Sequence, residues 1–315
     1  MRQPLRIAVV GSGAIGSYYG GKLAAAGCDV HFLVRGDLPR LLHIRGPGED
    51  IRLDPINAYS STKEIGPCDL VLIAVKATSN HEIVDLVPSL LRERTMLLTL
   101  QNGLGNEEFL AEHFGGERVL GALCFIALKR VSQTEVERLA HGDIVLGEYG
   151  RAVQMRTNEV AEEFRSAGIR CELTNDLTGE RWRKLVWNIP LNGLSILAGG
   201  IDTAAIIADE RLRKLTLEIM NEVILAANNC GHPLPADSWR ELMKRTETMG
   251  RFKPSTLLDW EAGKPIELEA IWGEPVRRAR AAKFAMPHTE MLYALLTNLD
   301  EQRSQKNSTA LSRRV

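Results

Sequence analysis

The residues best suited to chemistry lie in ERWRKLVWNIPLNGLSILA, residues 180–198, where Lys184, Asn188 and Asn192 recur at i, i+4 and i+8. That spacing predicts one polar stripe along a helix face. Leu185, Val186, Trp187, Ile189, Leu191, Leu194, Ile196 and Leu197 surround it, so the helix is expected to be largely buried and kinked or adjusted at Pro190. A buried polar stripe must find partners or face a ligand. The alternative is a solvated stripe, with Lys184 reaching water and the amides meeting a loop. Facing a ligand, these residue types suit carbonyl reduction. Hydride arriving at a carbonyl carbon builds negative charge on oxygen, which an ammonium can stabilise and then protonate.

A second candidate site opens the chain. Gly11, Ser12, Gly13, Ala14, Ile15 and Gly16 follow the apolar run Ile7 to Val10 and lead into a helical pattern. In that setting Gly11 permits a tight turn, Gly13 lets a pyrophosphate approach the backbone, and Gly16 lets helix and strand pack closely. The alternative is a purely structural glycine turn. The next strand pattern ends at Arg35, about twenty residues on, where an acid would select NAD and an arginine suits the 2′-phosphate of NADP. Asp37 lies two residues further, past the turn at Gly36. NADP(H) is the expected cofactor; the bland alternative makes Arg35 a solvated strand end. Lys76 and Gln101-Asn102-Gly103 also follow strand patterns. Strand ends of this kind face the ligand crevice of an open α/β sheet, although Asn-Gly is also an ordinary turn pair.

Other chemistries are disfavoured. The seven histidines are scattered, no HExxH or GxSxG is present, and no metal site is expected. With 39 Lys and Arg against 40 Asp and Glu, neither nucleic acid nor a membrane surface is an expected partner. Five cysteines without a CxxC pair argue against a disulfide framework and for a reducing compartment. No apolar run is long enough for a membrane span, and the run before Gly11 is too short for a secretory signal. The expectation is a cytoplasmic protein.

The elements that must position these residues change character midway. Strand patterns at Arg6–Val10, 29–34, 69–75, 95–100, 118–128 and 143–147, with a helix at 17–26, predict a doubly wound α/β sheet. Beyond about residue 178 the chain reads as helices at 180–198, Glu210–Asn229, 236–249, 265–282 and 288–300. The expected division is 1–178 for nucleotide binding and 179–301 for a helical substrate and catalytic domain. Residues 302–315 are polar and basic, and a disordered tail is expected there. Ser255 and Glu267 look like first-turn or capping residues of helices in the second domain.

Taken in order, GSGAIG (11–16), VRG around Arg35, AVKA around Lys76, QNGLGNEE (101–108), RWRKLVWNIPLNGL (181–194) and PSTLLDWEAGKPIELEAI (254–271) make the chain resemble the ketopantoate reductases, or 2-dehydropantoate 2-reductases. The resemblance spans nearly the whole chain. It implies an N-terminal Rossmann domain and a C-terminal all-helical domain, reducing 2-dehydropantoate to pantoate with NADPH in pantothenate biosynthesis. It implies Lys184 as the general acid, with Asn188, Asn192 and Ser255 holding the substrate. Lys76, Asn102 and the catalytic Glu267 would contact cofactor, substrate or Lys184, and Ala127 would meet the cofactor through its backbone. The partner is then a small keto acid; a homodimer is the assembly considered. Three positions depart from the family pattern: the Gly121–Phe125 strand, Asp202 in place of a substrate-binding Asn, and Trp272 in place of another Asn. An inward Asp202 would repel a carboxylate, and Trp272 would fill or reshape a pocket. The alternatives are a related NAD(P)-dependent dehydrogenase for another keto or hydroxy acid, and a non-enzymatic NADPH-binding regulator.

Overall fold

On the first strand, alternate side chains serve two cores. Ile7 and Val9 enter one, Ala8 and Val10 the other. A strand buried on both faces belongs in the middle of a sheet covered on both sides, and the computed structural model places it there. The structure describes residues 3–312, with side chains to 305. The chain divides into two compact units, Met1–Glu180 and Arg181–Val315.

The first unit runs β1 (Arg6–Val10), α1 (Ala14–Ala25), β2 (Asp29–Leu33), β3 (Leu42–Gly46), β4 (Glu49–Leu53), β5 (Asn57–Tyr59) and α2 (Thr62–Ile65). It continues through β6 (Leu70–Ile73), α3 (Asn80–Leu86), β7 (Met96–Thr99), α4 (Asn106–Phe114), β8 (Val119–Arg130), β9 (Glu135–Glu148), α5 (Met155–Ser166) and β10 (Cys171–Thr174). The sheet order is β4-β3-β9-β8-β7-β6-β1-β2-β5, with β10 beside β9. The strands from β8 across to β5 are parallel, while β8–β9 and β3–β4 are antiparallel pairs. Tyr19 and Leu23 of α1 and Phe164 of α5 pack on one face; Ile83 of α3 and Leu110 of α4 pack on the other. The chain leaves β1 for β2 on one side and returns to β6 on the other. Strand order therefore reverses between β1 and β6, the place where such sheets bind ligands.

The expected strands lie where the apolar runs are, but four further strands were not anticipated. β3 (LHIRG) and β4 (EDIRL) mix charge with partial burial, and β5 and β10 are only three and four residues long. β9 begins well before the expected 143, because the polar stretch from Glu135 pairs with the far half of β8.

α6 (Leu177–Leu197) leads into the second unit, where α7 (Thr203–Ala208), α8 (Glu210–Asn229), α9 (Ser238–Thr248), α10 (Ser255–Glu261), α11 (Glu274–Ala281) and α12 (Pro287–Ser312) follow. No strand lies among the described residues of this unit. Two expectations need correction. The single helix at 265–282 is instead a π-helical turn, Glu269–Gly273, running into α11. Residues 302–312, expected without an element, continue α12; 313–315 lie outside the described residues. Tethering explains the extension. The Arg303 guanidinium lies 4.1 Å from the Trp260 ring centroid and donates to the carbonyls of Trp260 (2.9 Å) and Lys264 (2.6 Å). At the other end, buried Glu222 accepts from the backbone N–H groups of His288 (3.1 Å) and Thr289 (2.8 Å), satisfying donors a helix start leaves open. No described helix is long and apolar enough to cross a membrane.

Candidate active site

The glycine loop occupies the switch point. Gly11 has φ +101°, and a Cβ there would sit 2.4 Å from the Val75 nitrogen just beyond β6. Only glycine fits such a turn. A Cβ on Gly16 would lie 2.2 Å from the Gly11 carbonyl oxygen, so this glycine closes α1 onto the loop. Gly13 differs: its φ is −70° and an added Cβ would meet nothing within 4 Å. The fold does not require glycine at that position; an approaching ligand would. Gly13 is also the N-cap of α1 and no side chain caps the helix. Open N–H groups and the positive end of the helix dipole could thus receive an anion. Ala14 and Ile15 form the first turn of α1, and Ser12 Oγ ties the loop to β2 by donating to the Leu33 carbonyl at 2.8 Å. These residues fit a dinucleotide pyrophosphate.

The neighbouring strand ends carry the other candidates of this unit. Arg35 lies beyond β2, its side chain 73% exposed, in an ion pair with Glu82 of α3. Lys76 lies beyond β6 and opens a 3-10 turn, its carbonyl accepting from Ser79 N at 2.8 Å. Asn102 lies beyond β7 and is set by a ladder of amides. Thr99 Oγ1 donates to Gln101 Oε1 (2.9 Å), Gln101 Nε2 to Asn80 Oδ1 (2.7 Å), Asn80 Nδ2 to Asn106 Oδ1 (3.1 Å), and Asn106 Nδ2 to the Asn102 carbonyl (2.9 Å). Ala127 sits between two register shifts of the β8–β9 pair, and bulges of this kind re-aim the backbone. The structure therefore brings the glycine loop, Arg35, Lys76 and Asn102 to the carboxyl ends of adjacent strands. Sequence reasoning missed Glu82, Asn80 and Arg130, all recruited to this edge by contacts distant in sequence.

In the second unit, Lys184 is partly exposed, while Asn188 is 8% and Asn192 2% exposed. They share one face of α6. Asn192 Oδ1 is buried with no hydrogen-bond partner, an arrangement that costs about 1–3 kcal/mol until a donor arrives. Ser255 is the exposed first residue of α10, and Glu267 is buried just before the π-helical turn, a feature frequent at functional sites.

Two of the departures resolve here. Asp202 caps α7, its Oδ1 accepting from Ala205 N at 2.9 Å and its Oδ2 pairing with Arg251 Nε at 2.9 Å. Arg251 and the capping N–H hold its carboxyl below the usual range, so its charge is compensated by that guanidinium and the start of α7. Trp272 is fully buried and donates from Nε1 to the Ile189 carbonyl at 3.1 Å, beside Pro190 of α6. It is a core residue packed against α6, which runs unbroken through Pro190. On β8, Gly121, Ala122, Leu123 and Cys124 are buried in the sheet and Phe125 is partly so. Among the described residues no three His, Cys, Asp or Glu side chains converge as metal ligands.

Comparison with known proteins supplies the lineage. Residues 7–151 match the family described as ketopantoate reductase PanE/ApbA, and residues 176–300 match its C-terminal domain. A 2-dehydropantoate 2-reductase of Nostoc sp. is 36% identical over 304 residues, covering 94% of this chain and 95% of that one. The crystal structure of 2-dehydropantoate 2-reductase from Geobacter metallireducens shares 42% identity with a TM-score of 0.91, covering 94% of this chain and all of that one. A ketopantoate reductase from Staphylococcus aureus, described as dimeric, shares the fold at 20% identity and TM-score 0.79, covering 95% of this chain and 100% of that one. The chain belongs to the ketopantoate reductase family.

Proposed function

We propose that this chain reduces 2-dehydropantoate to pantoate with NADPH, as a 2-dehydropantoate 2-reductase. The observation that carries the substrate reading is the orphaned Asn192 Oδ1 on the same helix face as Lys184. A buried acceptor without a partner selects a ligand that brings a donor, and 2-dehydropantoate carries a hydroxyl beyond its keto acid group. NADPH, when bound, supplies hydride to the keto carbon. Lys184 holds a proton at Nζ, stabilises the developing oxyanion, delivers that proton and recovers another from solvent. Asn188, Asn192 and Ser255 orient the acid and hydroxyl ends of the substrate, with Glu267 as a further acceptor. The glycine loop receives the pyrophosphate and Arg35 the 2′-phosphate. Lys76, Asn102 and the Ala127 backbone complete the cofactor contacts.

None of the five cysteines is in a disulfide, which supports our placing the activity in the cytoplasm. A homodimer is the assembly we propose on the precedent of the dimeric relative.

The test is NADPH oxidation with 2-dehydropantoate against 3-methyl-2-oxobutanoate, which lacks the hydroxyl, and an aryl 2-keto acid. Discrimination by a site built around a hydroxyl should favour 2-dehydropantoate by about 10²-fold or more in kcat/KM. Equal turnover of both aliphatic acids, or turnover of the aryl acid alone, would replace the proposed substrate.

A further inference from the structure

Arg130 ends β8 directly behind the glycine loop. Its Nη1 donates to the Ser12 carbonyl and, at 3.3 Å, to Ser17 Oγ. Its Nε donates to the Ser132 carbonyl (3.1 Å) and its Nη2 to the Gln133 carbonyl (2.9 Å). Every one of these acceptors is neutral. Other arginines of the same unit have carboxylates beside them: Arg138 with Glu49, Arg45 with Glu135, Arg156 with Glu148. Among the described residues no carboxylate pairs with Arg130. Burial lowers its pKa, and no acidic neighbour opposes that shift.

A partly buried charge without a counter-ion is unfavourable, so its retention points to an anion that arrives from outside. The surroundings indicate which one. The hydroxyl of Ser17 also donates to the Ser12 carbonyl (3.0 Å), so Arg130 and α1 grip the same peptide of the loop. The adjoining β8–β9 turn reaches the segment after Arg35, with Gln133 Nε2 donating to the Asp37 carbonyl at 2.5 Å. One turn thus holds both the anion loop and the neighbourhood of the expected 2′-phosphate site.

We infer that Arg130 is a positioning residue for the dinucleotide, fixing the Ser12 peptide and supplying the counter-charge for a pyrophosphate at the start of α1. This rests on the cofactor reading above. It is tested by calorimetric titration of the full chain with NADPH over a series of salt concentrations. Loss of a charge-assisted contact predicts that Arg130→Gln raises the NADPH Kd about 10-fold or more. Its salt dependence becomes shallower as one cation is lost. Arg130→Lys keeps the charge without the guanidinium's fork of donors, so it should hold the native salt dependence and weaken Kd less than Arg130→Gln. A Gln variant within about 2-fold of native Kd overturns the inference. So does equal weakening of both variants with unchanged salt dependence, the mark of a merely structural role. If the Gln variant does not fold, the Lys variant decides: a salt dependence shallower than native, despite the retained charge, overturns the inference. A native chain that binds NADPH and reduces no keto acid removes the proposed reaction but leaves Arg130 its role. A native chain that binds no nicotinamide nucleotide removes both.

Discussion

Lys184 and Gly13 are the two positions where a single atom group separates chemistry from architecture. Removing the Lys184 ammonium takes away the proposed proton source without touching the glycine loop. Lys184→Ala should therefore lower kcat by about 10²- to 10⁴-fold, while the NADPH Kd measured by calorimetry stays at its native value. A matching loss of NADPH affinity would assign Lys184 to binding instead. Gly13 offers the converse. Since a Cβ there meets nothing within 4 Å, Gly13→Ala should leave the melting temperature unchanged and weaken NADPH about 10-fold or more, the methyl group occupying ligand space. Unchanged NADPH affinity would show that the open space above Gly13 receives nothing. Asp202 bears on the substrate. Because its carboxylate caps α7 and pairs with Arg251, and Asn caps as well as Asp, Asp202→Asn should move the keto acid KM by less than about 3-fold. A much larger fall in KM would mean that its charge repels the substrate after all.

At the scale of elements, what could be read in advance depended on whether periodicity or tertiary contact decided the outcome. The face shared by Lys184, Asn188 and Asn192 was legible because helical spacing and apolar neighbours coincide in one short segment. The strands β1, β6 and β7 were legible as unbroken apolar runs. The π-helical turn after Glu267 was not, since nothing in ELEAIWG distinguishes it from an ordinary helix start. Asp202 and Trp272 were noticed as odd types, but their partners Arg251 and Ile189 are distant in sequence and fixed only by the packed chain. Glu148 illustrates the same limit. It ends β9 fully buried and accepts from Arg156 Nε (2.9 Å) and Thr157 Oγ1 (2.6 Å) at the start of α5, with Arg151 Nε at 3.2 Å. Burial alone would raise its carboxyl pKa, but Arg156 and Thr157 together hold it below the usual carboxylate range. The folded chain therefore keeps this carboxylate ionised at a pH where the unfolded chain has bound a proton. Its contribution is complete above the unfolded value of about 4.3 and is lost as pH falls through the lower folded one. Glu148→Gln should lower stability by about 1–3 kcal/mol at neutral pH, with the gap to native narrowing below about pH 4. Thermal melts across that range would show it; a gap that does not change with pH would contradict the assignment.

For the molecule as a whole, the division into units coincides with a division of chromophores. All five tryptophans, Trp182, Trp187, Trp239, Trp260 and Trp272, lie in Arg181–Val315, whereas the glycine loop and its sheet lie in Met1–Glu180. Intrinsic tryptophan fluorescence thus follows the helical unit, and hydrogen exchange at the amides of β1, β6 and β7 follows the sheet. A ligand that binds the native state alone stabilises what it binds by RT ln(1 + [L]/Kd), about 2.7 kcal/mol at a hundredfold excess over Kd. For a unit of this size that corresponds to roughly 5–10 °C. If the nucleotide is held by the first unit's own loop, NADPH should slow exchange in β1, β6 and β7 before it moves the tryptophan melting transition. Comparing the two probes on the intact chain over a titration makes the test. Protection confined to α6 and its neighbours, with the β1 amides unaffected, would relocate the nucleotide away from the switch point and take the proposed roles of Gly13, Arg35 and Arg130 with it.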